Sequence, residues 1–193
     1  MITLKQIRDN KYQKPCEDSW SRLLKSCGKT KADDTVVTCE YLLDTLGIDD
    51  TMWVISNCIH GKKVKKRHMV ADIAGRVLHI WEDWAKDHKP KHLDAPRKAV
   101  DAVRNGKVND EILRGVDAAW EAAWDAAYAA SRTADYAASR ALDAADAARA
   151  ASYATHNSDA AWAANAAAEA DAGAGYDAER VEQKKIILTY FGE

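Results

Sequence analysis

Asp117-Ala118-Ala119-Trp120-Glu121-Ala122-Ala123-Trp124-Asp125-Ala126-Ala127-Tyr128 opens a stretch that runs to about Tyr153 without a proline or a glycine. Its polar residues recur at Asp117, Glu121, Asp125, Arg132, Asp135, Ser139, Asp143, Asp146 and Arg149, in steps of mostly three and four with one of seven. That spacing is the face of a helix. Paired alanines fill much of the rest, and alanine is the best helix former because it loses no side-chain entropy on ordering. It also buries little surface, so alanine helices hold together only by close approach. One unbroken helix of this length would project about 55 Å. The stretch is therefore expected to bend or to double back as an antiparallel pair. The first break after it falls at Thr155-His156-Asn157-Ser158-Asp159, with Ser158 or Asp159 capping Ala160 to Ala172, and Gly173-Ala174-Gly175 is the next.

The rest of the chain carries the same punctuation. Of 37 alanines in 193 residues, 30 lie between Ala118 and Ala178. With 9 glycines and 3 prolines overall, this excludes collagen, a proline-rich linker and a Gly/Ser spacer. The longest uncharged run in the alanine-rich part, Ala160 to Ala168, is 9 residues. A membrane span needs roughly 18 or more, so no span is expected. Met1 to Tyr12 has no apolar core of a signal peptide, and a cytoplasmic protein is expected.

Upstream, Asp18 or Ser19 caps a helix through Trp20, Leu23 and Leu24 that stops at Gly28. Asp34 caps a second through Val36, Val37, Leu43 and Leu46 to Gly47, and a short helix follows Asp50. Val70, Ile73, Ala74, Val77, Trp81 and Trp84 form the apolar stripe of a longer helix that Pro90 ends. Asp94 and Pro96 open another, closing at Asn105-Gly106, and Asn109 caps the next. A last helix carries Val181, Ile186, Ile187, Leu188, Tyr190 and Phe191, the bulk the alanine helices lack. The expectation is all-α: short helices over 1–110, net basic, then an acidic alanine-rich hairpin or bundle over 111–193 packed on them.

The net charge of −2 conceals a split. Residues 1–116 carry 22 Lys+Arg against 17 Asp+Glu, and residues 117–193 carry 6 against 13. The halves either attract each other within the fold or keep separate charged faces for a partner. The cysteines, Cys16, Cys27, Cys39 and Cys58, stand at least 11 residues apart, which excludes ordinary zinc spacing. They are expected to pack as small hydrophobes, and neither metal nor cofactor is expected.

Three features could carry function. Lys62, Lys63, Lys65, Lys66 and Arg67 put five cations at a helix start, where the macrodipole favours anions and a phosphate would relieve the conflict. The plainer reading is a solvated loop tip. Trp120, Trp124 and Tyr128 form an i, i+4, i+8 stripe, expected to be core where the alanine helix docks on the first half; otherwise it is a wall for a partner. The acidic ladder that includes Asp125, Asp135, Asp143 and Asp146 suggests a nucleic-acid mimic, but Arg132, Arg140 and Arg149 interrupt it, and Asp117 and Glu121 fit a helix N-terminus. No G-x-S-x-G, P-loop, H-E-x-x-H or G-x-G-x-x-G is present, so a non-catalytic protein is expected.

The segment Pro15-Cys16-Glu17-Asp18-Ser19-Trp20, with Leu23-Leu24 and Gly28-Lys29-Thr30-Lys31-Ala32-Asp33-Asp34, resembles the opening of small phage-encoded proteins of unassigned function. Leu42-Leu43-Asp44 and Asp50 to Trp53 continue the likeness. From about Val70, Trp81 to Trp84, Pro96-Arg97-Lys98-Ala99, the Ala/Asp/Tyr helices and Glu179-Arg180-Val181-Glu182-Gln183 resemble an immunity-protein-like family. The resemblance implies a phage setting and a helical fold, and carries over no active-site residue. From it follows the expected function: binding and disabling a host protein in the bacterial cytoplasm, foremost a defence component such as a CRISPR effector. Two alternatives stay open, nucleic-acid or nucleotide binding through Lys62 to Arg67, and homo-oligomeric assembly through alanine faces.

Overall fold

The computed structural model describes residues 1–11, 14–130, 136–153, 159–170 and 176–192. They form an all-α protein, with one two-residue strand pair and one 3₁₀ turn among the described residues. In order come β1 (Ile2–Thr3), α1 (Leu4–Arg8), α2 (Glu17–Ser26), β2 (Val36–Val37), α3 (Cys39–Leu46), α4 (Ile48–Cys58) and α5 (Lys63–His88). The 3₁₀ turn Pro90–His92 follows, then α6 (Ala95–Asn105), α7 (Asp110–Ala130), α8 (Tyr136–Tyr153), α9 (Asp159–Ala170) and α10 (Tyr176–Phe191).

Much of the expected punctuation is in place. Gly106 ends α6 in the left-handed region at φ 65°, where a Cβ would also run into the Arg67 guanidinium. Asn109 Oδ1 accepts the Ile112 N–H and caps α7. At the N-terminus Thr3 and Gln6 form a reciprocal capping box around α1. Two helix starts shift: Cys16, not Asp18 or Ser19, is the N-cap of α2, and α4 begins at Ile48, ahead of Asp50. One segment departs further from the sequence reading. Val36 and Val37 do not enter a helix but pair antiparallel with Thr3 and Ile2, and Thr38, not Asp34, caps the helix that follows. Their β-branched side chains suit the extended pairing, which the sequence hides because its partner lies more than thirty residues upstream.

The alanine stretch divides into α7 and α8, which pack antiparallel. Arg149 and Tyr153, near the end of α8, both bond Asp117 in the first half of α7. The expected breaks at Thr155 to Ser158 and at Gly173 to Gly175 lie outside the described residues. Helix α9 returns along the other side of α8, where Arg140 Nε donates to Ala170 O. The result is two layers: α8 lies over α5 and α6, with α7 and α9 at its flanks. Ala141, Ala144, Ala145, Ala147 and Ala148 of α8 are completely buried, as are Ala163, Ala164 and Ala167 of α9. The bulk opposite them comes from the α5 stripe Met69, Val70, Ile73, Val77, Leu78 and Trp81. One continuous core thus joins residues from α3 to α10. A second, smaller core under β1, α1 and α2 gathers Leu4, Ile7, Trp20, Leu23 and Leu42.

Candidate partner-binding face

An alanine helix has little radius, so α8 sinks between its flanking helices and its outward stripe lies at the bottom of a groove. That stripe is Asp143, Asp146, Arg149 and Tyr153, each half-buried. Helix α7 supplies one wall with Trp120 and Trp124, ring centroids 5.6 Å apart. Helix α9 supplies the other with Trp162 and, two turns on, Glu169. Trp124 is 52% exposed and Trp162 is 60% exposed.

Arg149 shows how this groove holds a cation. Its guanidinium lies 4.7 Å from the centroid of the Trp120 ring and 5.6 Å from that of Tyr153. Its Nε donates to Asp117 Oδ1 at 2.8 Å, while Asp146 lies 3.8 Å away. Tyr153 OH donates to the second oxygen of Asp117 at 2.8 Å. Asp146 also accepts the Trp162 indole N–H, so its carboxylate ties α8 to α9. Burial pushes its pKa up, and the Trp162 bond, Arg149 and the Trp120 indole oppose that shift.

One turn earlier on α8, the antiparallel register places Asp143 level with Trp124 on α7 and Glu169 on α9. The elements of the Arg149 seat recur there, an aromatic face and two carboxylates, yet among the described residues no cation pairs with Asp143 or Glu169. The consequence is electrostatic. Burial, then the charges of Glu169 and Asp146, push the Asp143 carboxyl up to about 7.

The structure redistributes the residues singled out in the sequence. It brings Asp143 and Asp146 together in the groove; Asp125 is exposed on α7, and Asp135 lies outside the described residues. Asp117 and Glu121 are not a helix N-terminus, since α7 begins at Asp110; Asp117 instead anchors Arg149 and Tyr153. The tryptophan stripe is not the core contact with the first half. Trp120 and Trp124 face along the outer side of α8, because buried alanines already fill the inner contact. The Tyr128 side chain lies outside the described residues. Trp162 and Glu169 went unnoticed in the sequence, where only the i, i+7 spacing relates them.

The basic cluster does sit at the start of α5, with Lys62 at the N-cap. Most of it is engaged by the chain itself. Lys65 Nζ donates to Tyr190 O and Lys66 Nζ to Ser56 O, at 3.2 and 2.8 Å. Burial holds the Lys66 ammonium below the usual lysine range. Lys62 lies 5.9 Å from the Phe191 ring centroid, and Arg67 packs on Gly106. Lys63 projects into solvent. Lys62 and Lys65 therefore clamp the end of α10 onto the start of α5, while Lys66 ties it to α4.

Two clefts are less suited to chemistry. One, of about 440 Å³, is lined by Ile7, Trp20, Leu23, Trp53 and Val54. The carboxylates at its rim are already engaged, Asp50 by Ser19 and Arg22 and Asp49 by Arg180. The other, between α5 and α8, contains His79 and His88, whose Nδ1 atoms are tied to the carbonyls of Arg76 and Trp84. Among the described residues no cluster of metal-ligating side chains occurs, and no helix is long and apolar enough to cross a membrane. Comparison with protein-family models, curated proteins and solved structures finds no match, so the geometry of the chain carries the functional argument.

Proposed function

We propose that the chain is a non-catalytic binding protein of phage origin that captures and disables a host factor in the bacterial cytoplasm, through the outer face of α7, α8 and α9. The observation that carries this reading is the pair of exposed indoles, Trp124 and Trp162, on either side of half-buried carboxylates. Tryptophan is the residue most often found at the energetic centre of protein interfaces, and exposed apolar rings rimmed by charge mark interaction surfaces. A defence component such as a CRISPR effector fits the charge. Proteins that handle nucleic acid present basic grooves, and an acidic face is steered towards them.

The test is affinity capture from bacterial lysate with the wild-type chain and with a Trp124→Ala/Trp162→Ala variant. The wild type is expected to retain a defence component that the variant loses, with helicity unchanged. Capture that survives both substitutions, or recovers no defence component, overturns the proposal.

A further inference from the structure

We propose that the groove over α8 receives the arginine or lysine side chains of a basic protein segment, each cation entering between the Trp124 ring and the Asp143 and Glu169 carboxylates. The inference rests on the reading of this face as the partner surface, and it names the chemistry of the partner. The chain itself supplies the pattern. Arg149 occupies a seat made of the Trp120 ring with Asp117 and Asp146, at 4.7 Å from the ring centroid and 2.8 Å from the nearer carboxylate. A turn away the same kinds of group recur, and among the described residues no cation pairs with them. Asp143 is half-buried and Glu169 is exposed beside it; burial first, and then repulsion from the Glu169 and Asp146 charges, makes the Asp143 carboxyl resist ionisation. A guanidinium between Asp143 and Glu169 removes that repulsion and covers the exposed ring, so the gain is realised only on binding. Arginine fits better than lysine, because its planar fork can bond a carboxylate while lying flat on an indole. A nucleic acid would meet the same carboxylates with its phosphates and be repelled.

The probe is fluorescein-labelled octa-arginine, titrated into the full chain at low salt and followed by anisotropy, with octalysine in parallel. Wild type is expected to bind octa-arginine more tightly than octalysine, with affinity falling as salt rises. Asp143→Asn/Glu169→Gln and Trp124→Ala are each expected to weaken binding at least tenfold, and Trp124→Phe to retain most of it. Asp9→Asn/Glu40→Gln makes the same change in charge on the surface of the first half and is expected to leave affinity within twofold. Circular dichroism confirms that each variant is folded, and Trp124→Phe covers the case of a collapsed alanine variant. Absence of binding, or equal loss in both charge-matched pairs, overturns the inference. So does labelled single-stranded DNA binding that Trp124→Ala abolishes, or a dimer in light scattering that the same substitution dissolves. If octa-arginine does not bind while the Trp124→Ala/Trp162→Ala variant still loses a host protein, the inference falls and the function stands. The reverse pattern refutes the function alone.

Discussion

Asp143 is where the groove costs the fold most, and pH exposes that cost. In the folded chain its carboxyl holds a proton up to about 7, whereas the ordinary value for an aspartate is 3.8. Between those values the folded state binds more protons than the unfolded state. Stability therefore falls as pH rises through this window, and the loss is complete above the folded value. Asp143→Asn removes the titration. It is expected to raise the melting temperature at pH 8 by a few degrees, an amount kept modest by solvent screening of a carboxyl still partly open to water. At pH 4 the two proteins are expected to melt together. A gap of equal size at both pH values would show that Asp143 is not held protonated. The sequence could not single this residue out. Asp125, Asp143 and Asp146 share one spacing pattern, and only the flanking helices decide which is exposed, which is bonded to an indole and which faces another carboxylate. Trp124 was misplaced for a related reason. In an alanine helix every face can pack, so a large ring no longer marks the inner one.

Helix α8 explains both why the alanines are there and why the groove exists. It touches α5, α6, α7 and α9, and a helix with larger side chains could not approach all four. Ala144, fully buried, lies at the middle of this arrangement. Ala144→Leu is expected to push the layers apart and to cost about 1–3 kcal/mol, read as a lower urea midpoint with an unchanged slope. Ser139→Ala, on the exposed side of the same helix, is expected to leave the midpoint in place. Similar midpoints for the two would mean that the alanines are not a packing requirement. At this scale much of the fold was legible, because capping and glycine signals act locally: Gly28, Gly47 and Gly106 end their elements at positive φ. The β1–β2 pair was not, since its valines satisfy a helical spacing as well as an extended one and the partner strand is distant in sequence.

Across the whole molecule, the ion pairs decide what the divided charge of the chain means. Arg76 of the basic half reaches Glu179 and Glu182, while Arg180 and Lys184 of the acidic half reach back to Asp49 and Asp44. Among the described residues the exchange runs in both directions, so the acid excess of the second half is not discharged against the first. It remains on the α7–α9 face, where the proposed partner meets it. Only one of these pairs is deeply placed. Glu179 is 2% exposed, accepts from Arg76 Nε at 2.9 Å, and is bonded by Gln183, which in turn donates to Ala164 O of α9. That chain of bonds pins α10 to α5 and α9 at once. Arg76→Ala would leave a buried carboxylate without its cation and is expected to destabilise the protein by about 3 kcal/mol. Arg76→Met/Glu179→Met, which replaces the pair by apolar groups of similar size, should recover most of that loss. Lys184→Ala breaks an exposed pair and should shift the denaturation midpoint hardly at all. Because one core runs from α3 to α10, circular dichroism and tryptophan fluorescence are expected to report the same transition in every variant. An Arg76→Ala midpoint no lower than that of Lys184→Ala would show that α10 is held by its apolar residues, Ile187 and Phe191, and not by the buried pair.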